Sequence, residues 1–143
     1  MAMEQFHELF PEIGGREYRR LVVLPNRPLP AGEYGFVEAY CTEEGCDCQN
    51  VLLNVQGHRP PHHEATINFG IDPSEFSREG LPRAFLDRAN PQGPDAEKFL
   101  RLFEETLMRD SSYVDRLARH RAMVKELVNS RKRRGVTTSS WRR

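Results

Sequence analysis

All three cysteines of the chain fall within Cys41-Thr42-Glu43-Glu44-Gly45-Cys46-Asp47-Cys48. Thiolates are soft, charged donors, and zinc takes them tetrahedrally with no geometric preference of its own. In Cys46-Asp47-Cys48 the alternate pair can turn both sulfurs to one side. Gly45 permits the positive φ of a tight metal turn and leaves backbone N–H groups free to point at sulfur. Cys41 arrives from a strand and brings the third sulfur. The spacing, C-x4-C-x-C, differs from the C-x2-C of a zinc knuckle. The expectation is one zinc ion on Cys41, Cys46 and Cys48, structural in role; the alternatives are metal-free thiols or a hairpin disulfide.

Tetrahedral zinc needs a fourth ligand. The nearest downstream candidates are His58, His62 and His63, and of these His62 or His63 is favoured if its loop folds back towards the cysteines. Glu38, among Tyr34, Phe36 and Tyr40, is the candidate for orienting a zinc-bound histidine by accepting its second ring N–H. The plainer alternative is an edge-strand carboxylate facing water. Water in the fourth position would leave the metal open to catalysis, and a zinc hydrolase is the alternative if that open position lies beside a pocket with Glu38 or Glu64. His62-His63-Glu64 offers the H-x-E of zinc deaminases but lacks their downstream cysteine pair. His63-Glu64 opens H-E-x-x-H, yet Ile67 stands where the second histidine belongs. No catalytic residue is assigned.

The elements that must position these groups follow from hydrophobic period. Tyr34 to Cys41 alternates, with Tyr34, Phe36, Glu38 and Tyr40 on one face and Gly35, Val37, Ala39 and Cys41 on the other. Val51 to Val55 and Ala65 to Ile71 alternate likewise, and Tyr18 to Leu24 reads as a further strand. Short links make these an antiparallel meander with the cysteines at a hairpin tip and Gly57 to His63 as a loop. Phe6, Leu9 and Phe10 mark a short N-terminal helix over residues 2–10, ended by Pro11 and Gly14-Gly15. Ser74 to Asn90 gives only short helical turns, at Ser74 to Phe76 and Pro82 to Leu86. Ala96, Phe99, Leu100, Phe103 and Leu107 recur at helical spacing, as do Tyr113, Leu117, His120, Val124 and Leu127. The second helix is expected to open on a capping box of Ser112 and Asp115. His120, on the apolar seam, reads as a satisfied core histidine. The fold class expected is α+β: an antiparallel sheet of three or four strands, a short N-terminal helix and a C-terminal helical hairpin packed on one face.

A chain of 143 residues suffices for one domain with its own core, so zinc would fix a loop rather than supply the fold. Residues 1–130 are assigned to that domain and 131–143 to a basic tail. The tail holds six Lys or Arg and no acid, leaving 15 basic against 21 acidic side chains elsewhere. An acidic body is unlike a domain whose own surface binds nucleic acid; a nucleic-acid role would rest on the tail, with Trp141 stacking on a base. No apolar run approaches the ~20 residues of a membrane span. The first residues lack the basic start and apolar centre of a signal peptide, so the expected location is the cytoplasm, where thiols stay reduced and clustered cysteines favour metal over disulfides.

Gly32-Glu33-Tyr34-Gly35-Phe36, then Glu38, Tyr40-Cys41 and Cys46-Asp47-Cys48, resemble a group of small, uncharacterised bacterial proteins. The likeness covers about Pro30 to Val55, with echoes in Tyr113 to Lys125. It implies a bacterial source and a metal-binding cysteine cluster, and no activity. Some of those proteins continue into a second cysteine-rich tail, absent from this sequence. The functional expectation is a zinc-binding adaptor module with a protein partner.

Overall fold

The longest alternating run lies in the middle of the sheet, where both of its edges are paired. In the computed structural model this strand, β3 (Gly32–Cys41), is bordered on one side by β4 (Asn50–His58). Its other side is shared end to end by β1 (Met3–Gln5) and β2 (Arg19–Val23). The sheet continues through β5 (Pro61–Gly70) to β6 (Ala84–Leu86), and every pairing is antiparallel. The structure describes residues 2–58, 60–74, 80 and 82–142, with side chains described as far as Arg131.

Six strands stand among the described residues against the three or four expected. The additional ones, β1 and β6, have three residues each and are too short to show alternation. Both replace expected helical turns. Residues 3–5 are drawn into the sheet by pairing with the end of β3, Met3 opposite Cys41, and Pro82 to Leu86 supplies β6 instead of a turn. The helix expected over residues 2–10 shortens to α1 (Phe6–Leu9), and Pro11 opens α2 (Pro11–Arg16) rather than ending the pattern. Proline suits a first helical turn because the N–H it lacks has no intrahelical partner there. The loop expected over Gly57 to His63 is mostly strand: His58 pairs with Pro61, leaving a two-residue connection. Of the turn expected at 74–76, residues 75 and 76 lie outside the described residues.

Two longer helices follow. α3 (Ala96–Glu105) leads through a 3-10 turn, Leu107–Arg109, into α4 (Ser111–Arg142). The cap on α4 is Asp110, whose carboxylate accepts from the backbone N–H groups of Ser112 and Tyr113, in place of the Ser112–Asp115 box. Both helices lie on the face of β3 that carries its aromatic residues. Tyr34 meets Phe99 and Phe36 meets Phe103, while the Tyr40 hydroxyl lies 3.3 Å from the Leu117 carbonyl. The core is continuous from Phe6 through the sheet to Phe103, Leu117 and Val128. The coarse expectation of mixed helix and antiparallel sheet is met. The basic side chains expected to form a tail beyond Arg131 lie outside the described residues.

Candidate metal centre

Strand pairing fixes the first thiol. Cys41 is the last residue of β3, buried, opposite Met3, and the next N–H, of Thr42, donates to Ala2 at 2.9 Å. The chain then turns at Glu43, whose carbonyl accepts from the Cys46 N–H. Gly45 takes a φ of 75°, the left-handed conformation anticipated for it. The Gln49 carbonyl accepts from the Ile71 N–H, tying the far side of the loop to the end of β5.

The helix α4 holds the loop from above. Arg121 Nε donates to the Cys48 carbonyl at 2.8 Å and its Nη2 to the Asp47 carbonyl at 3.3 Å. Lys125, one turn on, donates to the Cys46 carbonyl. These two cations fix three successive carbonyls and leave the sulfurs to one another.

The result is that the three Sγ atoms lie within 4.8 Å of one another. Zinc at about 2.3 Å from each sulfur would set them about 3.8 Å apart, inside that limit. All three cysteines are free. Without metal they share hydrogen bonds and protons unequally. The Cys48 backbone N–H beside the Cys46 sulfur, helped by the Cys48 and Cys41 thiols, lowers the Cys46 pKa; Lys125 adds to this. Burial, then donation to Cys46, pushes Cys48 up to about 12. A divalent cation supplies the charge that lets all three ionise. The cluster can therefore hold a metal ion.

The histidines favoured as fourth ligand do not join it. His62 and His63 pair with Gly57 and Gln56, at the opposite end of β4 from Asn50. Seven residue steps along the strand, from Gly57 to Asn50, put them roughly 23 Å away. His62 is engaged instead by the Glu64 carboxylate and the Pro60 carbonyl, which together with the Glu64 charge raise its pKa, the Pro60 carbonyl most. His63 Nε2 lies 2.9 Å from the Pro91 carbonyl and 3.0 Å from Thr66 Oγ1. His58 meets the Tyr18 hydroxyl at 3.3 Å. Among the described residues no histidine or carboxylate completes the cysteine group.

Glu38 also has a different task. It is neither at a sheet edge nor beside a metal-bound histidine, but buried under α4. Its Oε1 lies 2.7 Å from His120 Nδ1 and accepts from the Tyr40 hydroxyl at the same distance. His120 Nε2 lies 2.7 Å from Glu17 Oε1, and the Phe6 ring stacks on the imidazole at 3.9 Å. Burial, then the Glu38 charge, holds the Tyr40 phenol protonated as a donor. Glu17 is drawn down to about 2, chiefly by the Arg119 guanidinium and next by His120. The expectation of a satisfied core histidine holds. The partner Glu17 was not evident because 103 residues separate it from His120.

No family model, curated protein or solved structure matches the chain. No helix among the described residues is long and apolar enough to cross a membrane.

Proposed function

We propose that Cys41, Cys46 and Cys48 bind one zinc ion that clamps the β3–β4 connection, and that the protein is a binding or adaptor module. The observation that carries this reading is the convergence of three free thiols within 4.8 Å. Arg121 and Lys125 support it, since three thiolates and a divalent ion leave one net negative charge that adjacent cations offset. With His62 and His63 at the far end of the sheet, the fourth position goes to water or to a donor outside the described residues. A reducing bacterial cytoplasm suits the site, as it keeps the thiols available.

The structural role is preferred to a hydrolytic one. Glu38 and Glu64, the acids a hydrolase would use, are bonded to His120 with Tyr40 and to His62 respectively. Elemental analysis of the protein as purified tests the reading. The expected result is about one zinc per chain, and far less in Cys46→Ser, whose fold is retained because the core does not depend on the loop. Metal-free wild-type protein after purification with zinc present throughout would refute it.

A further inference from the structure

Two large apolar side chains stand out from the surface, Val22 at 68% and Leu24 at 56% exposure. Both belong to β2 or its end, and β2 is paired only on the side of β3 among the described residues. Beside them runs a cavity of about 390 Å3 between β2 and α3, floored by Val23, Leu29 and Leu102. Its rim carries Arg27, Lys98 and Arg101 against the single acid Glu105. Lys98 is turned to Asp95 and the Pro28 carbonyl, whereas Arg27 and Arg101 have no ion pair or side-chain hydrogen bond among the described residues. A second depression of about 410 Å3 shares Val22 and continues past Gly32 and Glu33 to His58 and His62. The first depression adjoins β2, whereas the second crosses β3, β4 and β5 on the paired side of β2 and takes no part in the groove.

An open strand edge offers backbone donors and acceptors to an extended peptide, and flanking pockets take alternate side chains. Natural edges are usually blunted by charge; here Arg20 of β2 is paired with Glu33 at 2.8 Å, and the unpaired charge of the groove among the described residues is positive, Arg27 and Arg101 against Glu105. That sign selects the occupant. A second copy would bring the same cations face to face, and this chain's basic C-terminal residues carry the same charge as the rim. We infer that the β2–α3 groove is a docking site for an extended segment of a partner protein in which apolar residues alternate with acidic ones, added as a strand along Arg19–Val23.

This inference rests on the reading of the protein as a binding module but not on the metal. The two fail separately: Cys46→Ser, which removes the metal site, leaves peptide binding intact. The probe is a fluorescein-labelled octapeptide of alternating valine and aspartate, with the valine–lysine counterpart as control, titrated with the full chain and followed by anisotropy. Saturable binding of the aspartate peptide is expected. It should weaken by at least about tenfold for the lysine peptide and for Val22→Asp and Arg101→Glu, both at exposed positions where unfolding midpoints should not move. The absence of saturable binding, equal binding of the two peptides, or variants that bind like wild type would overturn it. So would a dimer in sedimentation equilibrium that Val22→Asp abolishes, which would assign the groove to a second copy.

Discussion

Replacing Glu17 by Gln removes one charge from the link between the N-terminal segment and α4 while keeping its shape. Glu17 accepts from Arg119 at 2.8 and 3.0 Å and lies 2.7 Å from His120 Nε2. These partners draw its pKa from 4.5 to about 2. Taken at face value, that difference amounts to about 3.4 kcal/mol of stability at neutral pH. The carboxylate is 25% exposed and Arg119 52%, so solvent screening reduces the figure to about 1–2 kcal/mol. Because the folded pKa is the lower one, the contribution is complete above about pH 5 and disappears as the pH falls towards 2. Urea unfolding of wild type and Glu17→Gln, in chelator so that metal does not contribute, measures the difference. The variant is expected to be less stable by about 1–2 kcal/mol at pH 7, with more than half of that gap gone by pH 3. A gap that stays constant from pH 7 to pH 3, or no gap at pH 7, would refute the argument.

Three other outcomes follow from particular contacts. The Tyr113 hydroxyl is buried with no hydrogen-bond partner among the described residues, so Tyr113→Phe should leave stability unchanged or raise it by about 1 kcal/mol in thermal unfolding. A Cβ on Gly35 would collide with the Tyr18 hydroxyl; Gly35→Ala should cost about 1–3 kcal/mol, and Tyr18→Ala in the same chain should recover part of it. Arg121→Ala frees the Cys48 and Asp47 carbonyls, and competition with a chromogenic chelator should show zinc held about 10–100-fold more weakly.

Much of the site was readable in advance. The alternation of β3 placed Glu38 with Tyr34, Phe36 and Tyr40, and those residues do share the helix-covered face. What alternation could not show was the partner: Glu38 is buried because His120 arrives from a helix 82 residues later. The cysteine cluster was legible because its three thiols are close in sequence. The fourth ligand was misjudged on evidence already present in the meander, since successive turns of antiparallel strands fall at opposite ends of the sheet. His62 and His63 therefore sit one strand length from Cys41, Cys46 and Cys48. Short strands escaped for another reason: β1 is held by its neighbour's hydrogen bonds and not by any pattern of its own.

X-ray absorption at the zinc edge of the purified protein bears most directly on the metal centre. Three sulfurs at about 2.3 Å and one oxygen or nitrogen at about 2.0 Å are expected, falling to two sulfurs or to lost metal in Cys48→Ser. A coordination shell of oxygen and nitrogen alone in wild type, or a sulfur count unchanged by that substitution, would contradict the account.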